Sequence, residues 1–209
     1  MSESRLREEM ARLAKSLFDR GFSVGSAGNI SAAVADGLLI TPTNSCLGFL
    51  DPARISKLDR DGNHVAGDPP SKEAPLHRAF YDTRPGTGAV VHLHSTYATA
   101  LSCMAETDPA DCVPPLTPYV VMRVGRVPLV PYFRPGDPRG GELIRALEGR
   151  HAAVLLANHG PVVSGRELAA TVYAAEELEE TARLLVILRG VPVRMLDAAA
   201  VAELRQAFG

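Results

Sequence analysis

The apolar positions Leu6, Met10, Leu13, Leu17 and Phe18 recur at helical spacing, which predicts a helix over residues 5–19 with Gly21 as its stop. The pattern then changes. A turn rich in small residues, Gly25-Ser26-Ala27-Gly28-Asn29, leads into a short strand from Ile30 to Val34, and Asp36-Gly37 is a hairpin signal before a returning strand from Leu38 to Thr41. Asp51 to Ile55 reads as a helical turn, and Ile55 to Leu58 with the turn Asp61-Gly62-Asn63 predicts a second hairpin. Glu73 to Tyr81 is a short helix behind Pro69-Pro70-Ser71-Lys72. An apolar run ending in His92-Leu93-His94 predicts a strand, and a helix follows from Thr96 to Met104. Val113 to Pro135 is rich in proline, with β-like runs at Tyr119 to Val124 and Val127 to Val130. Pro138 to Leu147 is helical, and a second apolar strand runs through Val154 to a break at His159-Gly160. A long helix spans residues 167–189, with Leu168, Val172, Ala175, Leu178, Leu185 and Leu188 near one face and Gly190 after it. Asp197 caps a last short helix carrying Ala199, Val201 and Leu204. Strands alternate with helices, but the hairpin signals point to a mostly antiparallel or mixed sheet covered by helices, an α/β fold.

Composition narrows the function classes. The 209 residues suit one domain, 1–209, with a sizeable core, and 46% of them are hydrophobic. A net charge of -2 gives no support for a nucleic-acid partner. No apolar run reaches the length of a membrane span, and the charged N-terminus has no signal-peptide core. The three cysteines, Cys46, Cys103 and Cys112, contain no C-x-x-C pair, which points to a reducing, cytoplasmic setting rather than a disulfide framework.

Chemistry concentrates at the histidines. Two residues apart on a strand, His92 and His94 point to one face, so both imidazoles can reach a single ion. His159, at the end of the second apolar strand, supplies a third ligand and leaves a fourth position open. Such a site suits zinc, with Mn, Co or Fe as substitutes. A strand-end histidine can also be just a polar residue with a hydrogen-bond partner. His77, one turn after Glu73, is a rival ligand that the exposed side of a helix also explains.

Three further segments read as chemical. The Gly25–Asn29 turn can bring backbone N–H groups close to an anion, or can be a plain helix-to-strand turn; it lacks dinucleotide-binding spacing. Thr41-Pro42-Thr43-Asn44 leaves a strand with hydroxyl, amide and backbone donors. In Ser71-Lys72-Glu73 the serine can cap the following helix, whose N-terminus suits phosphate, the lysine adds charge, and Glu73 can be base or ligand. The same segment also reads as a capped surface helix.

In this order, Gly25-Ser26-Ala27-Gly28-Asn29-Ile30-Ser31, Thr41-Pro42-Thr43-Asn44, Ser71-Lys72-Glu73, His92-Leu93-His94-Ser95 and Asn158-His159-Gly160 resemble the class II aldolase/adducin family over nearly the whole chain. The resemblance implies a three-layer α/β/α sandwich, a homotetramer with sites near subunit boundaries, and zinc held by His92, His94 and His159. It implies a substrate phosphate among Asn29, Thr43, Asn44, Ser71 and Lys72. It makes Glu73 an acid/base that also ligates the metal of the empty site. Family aldolases usually carry Thr-Pro-Ser-Gly and Ser-Ser-Glu where this chain has Thr41-Pro42-Thr43-Asn44 and Ser71-Lys72-Glu73. Together with Pro114 to Tyr119, Tyr132 to Asp137 and Ala175 to Thr181, these departures resemble a branch that decarboxylates 3-oxo-tetronate 4-phosphate through a metal-stabilised enediolate. That branch implies Tyr119 as proton donor, although Tyr119 also reads as an aromatic packed after Pro118. The alternative within the family is a sugar-phosphate aldolase or epimerase. Adducin-like members that have lost the metal site are a third class, against which the retained His92, His94, His159 and Glu73 speak.

Overall fold

The computed structural model describes residues 2–208. Helix α1 spans Glu3–Asp19, two residues longer at its start than the apolar spacing predicts, because the Ser2 side chain accepts a hydrogen bond from the Arg5 N–H and caps it. Strands β1 (Asn29–Val34) and β2 (Gly37–Ile40) form the expected hairpin, with Val34 opposite Gly37. The helical turn is a single 3-10 turn, Pro52–Arg54, capped by Asp51. Strands β3 (Ser56–Asp59) and β4 (His64–Ala66) make the second hairpin.

Helix α2 runs Ala74–Thr83, β5 Ala89–His92 and α3 Thr96–Cys103. The next element corrects the β-like reading of Tyr119 to Val124, because Pro118–Arg123 is a helix, α4. Its Tyr-Val-Val run favours strand locally. The Thr117 side chain nevertheless accepts from the Val120 N–H, and Pro118 sits in the first turn where its missing N–H costs nothing. Only Leu129–Val130 of the second β-like run pairs, as β6. Helix α5 is Arg139–Arg145 and strand β7 is Ala153–Leu156. After the His159 turn the chain returns as β8, Gly160–Gly165, a strand that the apolar pattern does not announce because glycine and proline open it. Helices α6 (Leu168–Ile187) and α7 (Ala198–Phe208) complete the chain, with the Asp197 side chain accepting from the Ala200 N–H as expected of a cap.

One sheet of eight strands runs β4-β3-β2-β1-β5-β8-β7-β6. All neighbours are antiparallel except β6 and β7, so the sheet is mixed. Alternation along β5 separates two cores. Val91 and Leu93 face the layer that includes Met10, Leu13, Leu17, Val172, Ala175 and Leu178 from α1 and α6. Val90 faces Leu76, Phe80 and Ile144 from α2 and α5. Helices therefore cover both faces, the three-layer sandwich expected from sequence.

Helices α3 and α6, neighbours on the same face of the sheet, are tied together by a long-range cap. Ser95 precedes α3 but makes no capping bond; instead Glu179, buried on α6, accepts from the backbone N–H groups of Tyr97 and Ala98, both at 2.8 Å. A carboxylate at a helix N-terminus is favoured by the helix dipole, and each charge-assisted bond is stronger than a neutral one. Removing it strands one buried and one part-buried N–H group. Glu179→Ala is expected to cost about 2–3 kcal/mol in denaturant unfolding at fixed protein concentration; an unchanged midpoint would show that water replaces the cap.

Candidate metal centre and active site

The sheet order puts the histidines together. His92 ends β5, His94 follows two residues later, and β8 lies next to β5 with Val162 opposite His92. The β7–β8 turn therefore hangs His159 over the end of β5. This turn is tight. Asn158 adopts a left-handed backbone at φ 56°, and a side chain at Gly160 would run into the Leu93 carbonyl. Helix α3 anchors the turn from beside it: the Ser102 carbonyl accepts from the Asn158 N–H, the Ser102 hydroxyl accepts from the His159 N–H, and the Thr99 hydroxyl donates to the His159 carbonyl.

The Nε2 atoms of His92 and His94 are 3.1 Å apart, and those of His94 and His159 are 3.0 Å apart. Two nitrogens on one tetrahedral zinc ion lie about 3.3 Å apart, given Zn–N of about 2.0–2.1 Å. His92 Nδ1–H donates to the Pro161 carbonyl at 2.9 Å, which leaves Nε2 with its lone pair toward the group. Glu73 closes the cluster, its Oε2 3.6 Å from His92 Nε2 and its Oε1 3.7 Å from His159 Nε2. Oε2 accepts a 2.7 Å bond from Asn29 Nδ2, whereas Oε1 is buried with no hydrogen-bond partner. An unanswered carboxylate oxygen beside three converging imidazoles fits a divalent metal ion, and His92, His94 and His159 form a group able to hold one.

Electrostatics agree. Burial alone would raise the Glu73 carboxyl, but the facing imidazoles, His92 foremost, together with the Asn29 donor, outweigh it and hold the carboxyl below its ordinary value. Burial lowers His92 and His94, and brings His159 down to about 4. The set thus presents one carboxylate and neutral imidazoles at neutral pH, the protonation state that metal ligation requires.

A cavity of about 370 Å³ opens onto this cluster, lined by His94, His159 and Glu73 and by Gly28, Asn29, Thr43, Asn44, Ser71, Lys72 and Pro135. The two donor loops are stitched side by side. The Thr43 N–H donates to the Pro69 carbonyl and the Ser71 N–H to the Thr41 carbonyl, at 2.9 and 3.2 Å. The Lys72 stem lies against Gly136, at φ 84°, where a side chain would crowd it. All five residues expected to grip an anion therefore reach one cavity.

Two expectations change, at Ser71 and His77, and Asn29 and Tyr119 take settings that the sequence did not show. Ser71 does not cap α2, because Glu73 occupies the cap position and the Ser71 hydroxyl accepts from the Glu73 N–H. Asn29 has its side chain engaged by Glu73 and His77. His77 is not on an exposed helix face. It is fully buried, its Nδ1 2.7 Å from the Ser31 hydroxyl and its Nε2 2.5 Å from Asn29 Oδ1, and burial first, then the neighbouring His92, drives it down to about 3. Tyr119 lies on α4, 53% exposed, with the Arg123 guanidinium 5.2 Å above its ring, and it does not line the cavity. Thr99, Ser102 and Tyr81 were missing from the sequence reading, and Ser31 stood there only as the last residue of the Gly25–Ser31 motif. Tyr81 had a further signal: Glu73, His77 and Tyr81 are spaced four apart, one stripe along α2 and its cap.

The family profile described as "Class II Aldolase and Adducin N-terminal domain" matches residues 8–186. A 3-oxo-tetronate 4-phosphate decarboxylase of Escherichia coli K12 is 55% identical over 204 residues, 97% of this chain and 96% of that one. An L-fuculose phosphate aldolase of Methanocaldococcus jannaschii is 32% identical over 181 residues, 87% of this chain and 96% of that one. The crystal structure of YgbL from Klebsiella pneumoniae superposes with a TM-score of 0.95 at 52% identity, covering 98% of this chain and 100% of that one.

Two measurements check the centre. Purified protein is expected to hold about one metal ion per chain, and the His92→Ala, His94→Ala double variant to hold none by elemental analysis; stoichiometric metal in the double variant would refute the ligand set. The metal-free protein is expected to lose stability in acid. Folded His77 takes up its proton only near pH 3 and folded His159 near 4, whereas the unfolded chain takes up both near 6.5. Between those values the unfolded state binds more protons, so stability falls as pH drops below about 6.5, by up to about 1.4 kcal/mol per pH unit for each histidine. Denaturant midpoints at pH 7.5, 5.5 and 4.5 test this; a flat profile would mean that these imidazoles are solvated.

Proposed function

The chain belongs to the class II aldolase and adducin family, and from that premise we propose that it decarboxylates 3-oxo-tetronate 4-phosphate to dihydroxyacetone phosphate and CO2. One observation carries the reading: a single cavity joins the His92–His94–His159 and Glu73 cluster to the Thr43–Asn44 and Ser71–Lys72 loops. A phosphorylated 3-oxo acid needs both ends, an anion grip and an electron sink a few ångströms apart. Identity of 55% to a decarboxylase against 32% to an aldolase supports loss of CO2 over loss of an aldehyde.

The reaction breaks the C1–C2 bond of the substrate. Its electron pair moves toward the C3 oxygen, CO2 departs, and C2 takes a proton. A divalent ion, zinc in our reading with manganese or cobalt as substitutes, supplies a Lewis acid for the charge that develops on oxygen. The protein's own residues do the rest. Thr43, Asn44, Ser71 and Lys72 hold the phosphate, with Asn29 at the inner wall of the same cavity, and so fix how far the C3 carbonyl reaches toward the imidazoles. Glu73, a carboxylate with one unpartnered oxygen, would be a further ligand to the ion of the substrate-free site, and it holds or passes a proton at the C2 side.

Tyr119 completes the chemistry from outside. Its exposure, and that of Tyr132, supports a homotetramer in which the Val113 to Pro135 segment of one subunit closes the cavity of the next. A phenol is protonated at neutral pH and can donate to C2 without tuning. The three free cysteines suit a cytoplasmic setting. Among the described residues no helix is long and apolar enough to cross a membrane, and neither membrane nor nucleic acid is a partner in this reading.

Product analysis decides between the two lyase readings. Incubation with 3-oxo-tetronate 4-phosphate is expected to release CO2 and dihydroxyacetone phosphate in equal amounts; release of an aldehyde from ketose phosphates, without CO2, would favour the aldolase. Tyr119→Phe is expected to fold and keep its metal while kcat falls on the order of 10²-fold, the usual scale for a positioned proton donor. Wild-type kcat in that variant would leave Glu73 or water as the proton source.

A further inference from the structure

Behind the metal-side carboxylate a chain of hydrogen bonds, buried up to Ser31 and part-buried at its outer end, runs Glu73–Asn29–His77–Ser31–Tyr81, with successive separations of 2.7, 2.5, 2.7 and 2.9 Å. His77 and Tyr81 come from one face of α2, Glu73 from its cap position, and Asn29 and Ser31 from one face of β1. None of the three outer residues lines the cavity. From this geometry we infer that His77, held in the one tautomer that the carboxylate-to-phenol chain permits and backed by Ser31 and Tyr81, is a positioning residue that holds Asn29, and through it Glu73, in orientation for the metal. The inference rests on the reading of Glu73 as a carboxylate that faces the metal.

Each polarity follows from the one before. The Glu73 carboxylate only accepts, so Asn29 must turn its NH2 toward it. The Asn29 carbonyl oxygen then faces His77 Nε2, which must carry a hydrogen. A neutral imidazole with Nε2–H has a bare Nδ1, which accepts from the Ser31 hydroxyl. That leaves the Ser31 oxygen to accept from the Tyr81 phenol. In the opposite tautomer the amide would flip and set oxygen against carboxylate. Only the first arrangement pins Oε2 and leaves Oε1, the unpartnered oxygen, turned toward His159. Hydrogen-bonded partners behind metal ligands typically change metal affinity or activity by about 10–100-fold when removed.

The test reads tautomer and metal affinity rather than turnover. With imidazole-15N histidine in the metal-free protein, the His77 resonances (identified by their loss in His77→Gln) are expected to show hydrogen on Nε2 and none on Nδ1. His77→Leu, which keeps bulk but has no donor, is expected to weaken zinc binding about 10–100-fold in competition with a chromophoric chelator. His77→Gln, whose NH2 can reach the Asn29 oxygen, is expected to recover most of that loss. Hydrogen on Nδ1 would overturn the inference, as would equal zinc affinity in Leu and Gln variants, whether both match the wild type or both are weakened alike. If the wild type released no CO2 while the tautomer and affinity results held, the decarboxylase reading would fail and this inference would stand.

Discussion

A carboxylate buried against three imidazoles is the constraint from which the site follows. Moving such a charge out of water costs several kcal/mol unless bonds and opposite charge answer it. Glu73 is answered on one oxygen by Asn29 and on the other by no hydrogen-bond donor among the described residues. The same burial keeps the imidazoles neutral, so without a cation the cluster holds a net negative charge in a region of low polarity. That arrangement is costly for the empty protein and favourable for a divalent ion, which makes cation binding and local stability one quantity.

Holding this cluster falls to the elements packed around it. The ends of β5 and the β7–β8 turn are brought within imidazole reach by the adjacency of β5 and β8, and α3 fastens the turn through Thr99 and Ser102. Helix α3 is in turn fixed by Glu179 from α6. On the opposite face, α2 and β1 meet in a commensurate way. Four residues of helix rise about 6 Å and two residues of strand about 6.6 Å, so Glu73, His77 and Tyr81 fall into step with Asn29 and Ser31. A polar ladder can therefore cross an apolar layer without leaving a rung unsatisfied, the condition under which a buried network adds rigidity rather than cost.

Much of this was legible in the chain. Period two in His92-Leu93-His94 predicted a shared face, and the apolar run ending at His159 predicted a third ligand, because both signals are local and apolar patterning drives strand formation. The reading failed where a long-range partner decides. Tyr119 to Val124 has strand propensity but lies in a helix, since Thr117 and Pro118 set its first turn. Strand β8 opens on Gly160-Pro161 and looks like loop, yet it is buried between β5 and β7, where its glycine permits the close pass over Leu93. His77 was read as exposed because Ser31, which accounts for it, lies forty-six residues away along the chain.

Asn29 shows why a motif and a mechanism are not the same thing. Its position in the Gly25–Asn29 turn suggested an anion contact, and it does line the cavity. Yet its amide nitrogen is committed to Glu73 and its oxygen to His77, so a phosphate must compete for an NH2 whose other hydrogen alone remains. If that hydrogen serves the phosphate, one amide links the anion grip to the metal-side carboxylate. Substrate binding would then pull on the same group that sets Glu73, which would couple the anion grip to the metal-side carboxylate. The coupling needs the amide to be held rigidly in one orientation, which is what the buried imidazole behind it provides.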